Sequence, residues 1–191
     1  MEDKINISEL ICTRISHDLI GNIGAFANAV ELLEDEDDDF IDEIKNTLKT
    51  SSEVLTARLK FFRMAFGLTN ANLENIETVK KVTEDYLQTL NLNHPVKADI
   101  KIINSPFNRA VMLACMCAAE VIVRGGTVKV SSTRQAIIIS AVSDSPLAQN
   151  KISAMQTVLE GFPCAGRQHL LHHLRGQRNQ RERRASRRFS G

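Results

Sequence analysis

The chain has 191 residues, 43% of them hydrophobic, with eight Phe, one Tyr and no Trp; it is long enough to bury a real core, as one domain or two small ones, packed mainly by aliphatic side chains. Its formal charge of +1 hides an asymmetry, because residues 164–191 hold eight Arg against one Glu, a +7 excess that leaves −6 on residues 1–163, where all ten Lys lie. No basic stretch precedes an apolar segment near the start, and the longest apolar run, 110–123, is short of a membrane span and broken by Glu120, so the expectation is a cytoplasmic protein with no secretory leader and no membrane helix.

The first expected element is a long helix from about Ser8 to Glu34, capped by serine with Ile7 ahead of it. Cys12, Ile15, Leu19, Ile23, Phe26, Val30 and Leu33 recur at spacings of three and four, which predicts one continuous buried stripe. At about 100° per residue, His17 falls roughly 160° from the centre of that stripe and points to solvent. Arg14, Gly21, Gly24 and Asn28 share its face, Ile20 lies nearby, and Asp18 follows directly. A glycine inside a helix costs about 1 kcal/mol relative to alanine, and a reason for two of them is to let another protein's backbone come close to the exposed imidazole.

The run Arg14-Ile15-Ser16-His17-Asp18-Leu19-Ile20, followed by Glu31-Leu32-Leu33-Glu34, resembles the phosphoacceptor helix of the ChpT-type histidine phosphotransferases, which are related to the dimerisation and phosphotransfer domain of sensor histidine kinases. The resemblance extends over residues 1 to about 162. It implies that His17 is the phosphoacceptor and that Asp18 orients the ring or acts in acid–base chemistry. Arg14, Ile20, Gly21, Gly24 and Asn28 are then the partner-docking face. A solvated imidazole is neutral and nucleophilic near neutral pH, so a surface histidine on a rigid helix can attack an aspartyl phosphate in a partner's receiver domain. The implied partners are the receiver domains of a hybrid histidine kinase and of response regulators. They would bring the Mg2+, and no cofactor is expected in this chain. Kinases and many relatives carry proline five residues after the histidine, where this chain has Asn22; either Gly21 and Gly24 supply the corresponding freedom or the helix is straighter. Bifunctional kinases also keep Thr or Asn four residues after the histidine to position a hydrolytic water, and Gly21 there implies little phosphatase activity.

The acidic run 34–39 reads as a solvated turn, since calcium-loop spacing is missing. Helix two is expected over about Phe40–Phe66, with Ile41, Ile44, Leu48, Ser51, Leu55, Leu59, Phe62 and Phe66 close to a heptad seam. Two helices of roughly 27 residues, each about 40 Å long, cannot cover both apolar faces as a lone hairpin. Two copies joined as a four-helix bundle can, which predicts a homodimer; the alternative is that the carboxy-terminal region covers the hairpin within one chain.

After Gly67 and a linker at 68–72 the pattern becomes mixed: a helix over about 75–90, a strand at 97–103, a helix from Ser105-Pro106 to about Val123, strands at 127–131 and 135–142, and a helix over about 147–159. That order suits an α/β sandwich with one sheet face covered. The fold class is therefore α+β, with residues 1–67 as the helical-hairpin phosphotransfer domain, 73–162 as an α/β domain resembling a degenerate kinase ATPase domain, and 163–191 as a basic tail. The degeneracy rests on particular positions: residues 109–149 contain no asparagine for magnesium, the strand end Ser143-Asp144-Ser145-Pro146 keeps the aspartate but neither glycine of the nucleotide motif, and Gly125-Gly126 reads as a turn. ATP-dependent autophosphorylation is not expected. Cys12, Cys115, Cys117 and Cys164 lack zinc-ligand spacing and read as reduced thiols, and His94 before Pro95 reads as structural.

The Arg-only tail lacks aromatic interleaving apart from Phe189. It reads as unrelated to the function, as a disordered arm, or as a polyanion-binding segment; nucleic acid is not an expected partner of the body. The leading expectation is a histidine phosphotransferase in a bacterial phosphorelay. The alternative is a dimeric adaptor that docks receivers without accepting phosphate.

Overall fold

The structure, a computed structural model, describes residues 7–34, 41–68, 72–103 and 106–161. The acidic turn at 35–40 and the basic tail from 162 lie outside the described residues. Five helices and a three-stranded sheet follow one another as α1 (Ile7–Glu34), α2 (Ile41–Phe66), α3 (Ile76–Gln88), β1 (Val96–Lys101), α4 (Asn108–Ala119), β2 (Gly126–Ser132), β3 (Ile137–Val142) and α5 (Gln149–Gly161). The architecture is mixed α+β.

α1 runs unbroken through Gly21, Asn22 and Gly24, so the missing proline leaves a continuous helix. α2 packs antiparallel on it, and Arg58 near the end of α2 reaches back to the Asp18 carbonyl. Helix two ends at Gly67, whose N–H bonds to the Arg63 carbonyl at 3.0 Å and whose Cβ, if present, would collide with that same carbonyl. α3 begins at an Asn75 cap whose side chain accepts from the Glu77 and Thr78 N–H groups at 3.0 and 3.2 Å, satisfying two of the donors a helix start leaves open.

The sheet has the order β1-β2-β3. β1 and β2 are parallel, joined by α4, with Ile100 opposite Val130; β2 and β3 form an antiparallel hairpin with Val130 opposite Ile139. Alternation sends Val128 and Val130 inward and leaves Lys129 and Ser131 exposed. α3 and α4 pack on the inward face. Gly125, at φ +63°, makes the turn into β2, and a Cβ on the next residue, Gly126, would meet the Val142 carbonyl of β3.

The core is built around Tyr86, the chain's single tyrosine, which is fully buried. Phe61 lies flat on it at 3.9 Å between ring centroids, and Phe62 meets it edge-on at 5.7 Å. Val79, Leu87, Met112, Cys115, Val128 and Val130 complete the packing. This core is contiguous from the end of α2 into the sheet.

Three sequence expectations change here. The predicted stripe on α1 is covered only in its first half. Ile15 and Leu19 pack on the core, but Cys12 is exposed, and Ile23, Phe26, Val30 and Leu33 are 39–53% exposed within the chain, because the sheet domain packs beside the first half of α1 and the second half of α2. The seam of α2 also changes phase: Leu59 is 53% exposed, while Val54, Phe61, Met64 and Ala65 are buried. The carboxy-terminal half of α2 meets α1 on one side and α3 and α4 on another, so a single seam does not describe it. Phe62, expected in a bundle interior between chains, sits in the intrachain aromatic cluster. α4 ends at Ala119, four residues before the expected Val123, as Glu120 turns the chain.

Candidate functional site

His17 stands on the solvent side of α1 with its side chain 84% exposed, which agrees with the phase read from the sequence. Its Nδ1 lies 3.3 Å from Asp18 Oδ1. Asp18 itself, at 9% exposure, is buried, although it is the very next residue on the helix. A carboxylate taken out of water must be paired, and the structure gives it partners from two elements, with a third holding the residue's main chain. Arg14 Nε donates to Oδ2 at 2.9 Å, one turn earlier on α1. The Tyr86 hydroxyl donates to the same oxygen at 3.4 Å from α3. The Asp18 main-chain carbonyl accepts from the Arg58 guanidinium of α2 and from Asn22 Nδ2 at 3.4 Å. Arg58 is anchored in turn by Thr89, with Nε on its Oγ1 at 3.1 Å and another nitrogen on its carbonyl at 2.8 Å.

The ionic chain continues outward. Arg14 pairs with Glu120 at 2.5 Å, and Glu120 with Lys151 of α5 at 2.7 Å. Burial works against the Arg14 charge, but the hydrogen bond and attraction from Glu120 outweigh it and push its pKa further up. Burial likewise opposes the Glu120 charge, and the hydrogen bonds from Lys151 and Arg14 reverse the effect, holding its pKa below the usual carboxylate range. Arg14, expected on the partner-docking face, is thus engaged by Asp18 and Glu120 within the chain. Ile20, Gly21, Gly24 and Asn28 are all exposed beside or beyond His17, and a Cβ at either glycine would meet nothing within 4 Å.

Tyr86, Arg58, Thr89, Glu120 and Lys151 were not among the sequence-derived candidates. Signals existed for two of them. Arg58 falls three residues after Leu55 and four before Phe62, a charge in the apolar phase of a helix. Glu120 is the one charge inside the apolar run 110–123. In the sheet domain, Asn108 opens α4, is buried, and donates to the Leu73 carbonyl at 2.8 Å. Ser143 donates to the Gly125 carbonyl at 2.7 Å, bracing the turn where a nucleotide motif would lie. His94 is exposed and its N–H is held by Asn91. Cys12, Cys115 and Cys117 are free thiols, and burial pushes the Cys115 pKa up to about 12, out of the reactive range. Among the described residues no three His, Cys, Asp or Glu side chains are grouped to hold a metal, and no helix is long and apolar enough to cross a membrane.

Residues 76–161, α3 through α5, match the family described as histidine phosphotransferase C-terminal domain. A curated relative, protein phosphotransferase ChpT of Brucella abortus (strain 2308), is 34% identical over 86 residues, which are 44% of this chain and 40% of the relative. Residues 76–161 are thus similar to the carboxy-terminal domain of the histidine phosphotransferases, ChpT among them. The match to that ChpT spans two fifths of the relative's length, and the family segment begins at α3, beyond His17. A broader likeness is structural: the 1.7 Angstrom structure of a bacterial phosphotransferase superposes with a TM-score of 0.59 over 83% of this chain and 87% of that one, at 20% identity. This chain and that protein share a fold.

Proposed function

We propose that this chain is a histidine phosphotransferase that takes a phosphoryl group from a receiver-domain aspartate onto His17 and passes it to the receiver of a response regulator. The observation that carries the reading is the pairing of an 84% exposed imidazole with a buried carboxylate 3.3 Å from its Nδ1. A hydrogen bond donated by Nδ1–H to Asp18 leaves the Nε2 electron pair facing solvent. An incoming aspartyl phosphate would be attacked in line by Nε2: the N–P bond forms, the P–O bond to the partner's carboxylate breaks, and the carboxylate leaves. Mg2+ and its acidic ligands belong to the receiver in this scheme. Once Nε2 is bonded to phosphorus the ring is cationic, and the adjacent Asp18 carboxylate stabilises it; reversal onto a second aspartate restores the neutral ring.

Ile20, Gly21, Gly24 and Asn28 form the surface on which a receiver would settle, and the glycines leave it flat. The half-exposed apolar residues Ile23, Phe26, Val30 and Leu33 support pairing of two hairpins into a four-helix bundle in a homodimer. The sheet domain, with Asn108 turned into the core and Ser143 bracing its turn, is assigned to docking in place of nucleotide hydrolysis.

The deciding experiment is incubation of the chain with a labelled, phosphorylated receiver. Acid-labile, alkali-stable label on this chain is the expected result. A receiver complex that forms without label would instead leave the adaptor reading standing.

A further inference from the structure

Asp18 is adjacent to His17 in sequence, yet one of the two donors that hold its carboxylate comes from another element. Oδ1 faces the imidazole, while Oδ2 accepts both the Arg14 guanidinium at 2.9 Å and the Tyr86 hydroxyl at 3.4 Å. With two donors on one oxygen, the carboxylate plane is fixed and the other oxygen is left for the ring. Neither donor is loose. Tyr86 is fully buried and clamped face to face against Phe61 at 3.9 Å, which holds its hydroxyl beside Asp18 and Arg14. Arg14 is gripped at its far end by Glu120 at 2.5 Å. Burial, followed by the Asp18 charge, pushes the phenol pKa up to about 12, so it stays a donor through the physiological range.

We propose that Tyr86 is a positioning residue for the phosphoacceptor: its hydroxyl, together with Arg14, holds Asp18 so that Oδ1 accepts the hydrogen bond from His17 Nδ1–H and Nε2 keeps the free electron pair. This rests on the reading of His17 as the phosphoacceptor. Tyr86 lies in the sheet domain's first helix, so docking of α3 on the hairpin becomes a requirement for a correctly poised ring. A carboxylate released from α3 can rotate away, and the ring is then free to carry its proton on Nε2, which occupies the reacting position.

Tyr86→Phe removes the hydroxyl and keeps the ring that stacks on Phe61. Hydrogen bonds to a charged group change equilibria by about tenfold or more, so receiver-to-His17 transfer is expected to slow roughly tenfold with unchanged receiver affinity. Nitrogen-15 NMR of the full chain should show the Nδ1–H tautomer of His17 dominant in the wild type and depleted in the variant. In an Asp18→Asn background, Tyr86→Phe should change the transfer rate no further, because its effect passes through Asp18. Glu120→Gln, which loosens Arg14 without touching the core, should deplete the same tautomer to a smaller degree and serves if Tyr86→Phe folds poorly. An unchanged tautomer in both variants, or rate effects that multiply in the double variant, overturns the proposal. The tautomer is read without any receiver: a wild type that never takes label while its tautomer depends on Tyr86 sinks the phosphoacceptor reading and leaves the positioning of the ring intact.

Discussion

His17 and Asp18 are neighbours on one helix with opposite solvation. A side chain that touches little but its neighbour's carboxylate contributes almost nothing to packing, so His17→Ala is expected to leave the melting temperature within about 2 °C of wild type and to abolish labelling by a phosphorylated receiver. Retained label, or an unfolded variant, removes His17 from the reaction. Phosphorus NMR of the labelled chain should place the phosphoryl group on Nε2, the nitrogen not turned toward Asp18. Gly21 and Gly24 have open space where a side chain would grow, so Gly21→Leu or Gly24→Leu should stabilise the helix by about 0.5–1 kcal/mol. The same variants should cut transfer at least tenfold by holding the receiver away. Thermal melts and transfer rates measured together check both halves, and wild-type rates in both variants would move the docking face elsewhere. At this scale the sequence was informative about direction and uninformative about partners. The exposure of His17 follows from helical phase alone. The burial of Asp18 does not, since it depends on Tyr86, 68 residues away.

Among the elements, the end of α2 and the start of the sheet domain share the buried aromatic cluster of Phe61, Phe62 and Tyr86. Phe61→Ala should destabilise the chain by about 3–5 kcal/mol, whereas Leu59→Ala, two residues away and half exposed, should cost under about 1 kcal/mol in an isolated chain. Chemical denaturation at low protein concentration distinguishes them. The corner after α4 supplies a pH signature. Glu120 has its pKa lowered in the folded chain, so the stability it contributes is fully present above the ordinary glutamate value of about 4.3 and is lost as pH falls through the folded value. Glu120→Gln should therefore flatten the dependence of stability on pH below about 4.5 and change it little near 7, in denaturation curves collected across pH 3–7. Element order and type were legible because each long helix has a clean three-four repeat and each strand is bracketed by Gly, Pro or Ser. The phase of α2 was not, because a helix buried on two sides presents Val54, Phe61 and Ala65 alongside Leu55 and Phe62, and periodicity picks only one row.

For the whole molecule, the question left by the fold is what lies against the second half of α1. The chain covers Ile15 and Leu19 and leaves Ile23, Phe26, Val30 and Leu33 partly in water. The proposed dimer would bury them, and Phe26→Asp should then yield a folded monomer, since Phe26 has no place in the intrachain core. Leu48→Asp and Leu55→Asp, at half-buried positions, should disrupt assembly and lower stability together. Sedimentation at micromolar concentration is the check, and a monomeric wild type would remove the bundle.

The clamp on Asp18 also has a consequence in time. The hairpin is made first, but Tyr86 follows Asp18 by 68 residues and Glu120 by 102. At synthesis rates of about 5–20 residues per second, the histidine helix, complete at Glu34, waits roughly 4–17 s before Tyr86 and Glu120, which brace Asp18 and its partner Arg14, have both been made. A newborn hairpin therefore presents the ring without its brace, and is expected to be a slow acceptor until the sheet domain closes on it. Ribosome-bound chains stalled short of Tyr86 should take label from a receiver more slowly than chains stalled beyond residue 161 with their body fully extruded; equal rates would mean the ring needs no help from the rest of the chain. Under the proposed function, competence to carry phosphate would then arrive only once the sheet domain has been made, and unfinished copies would not draw phosphate.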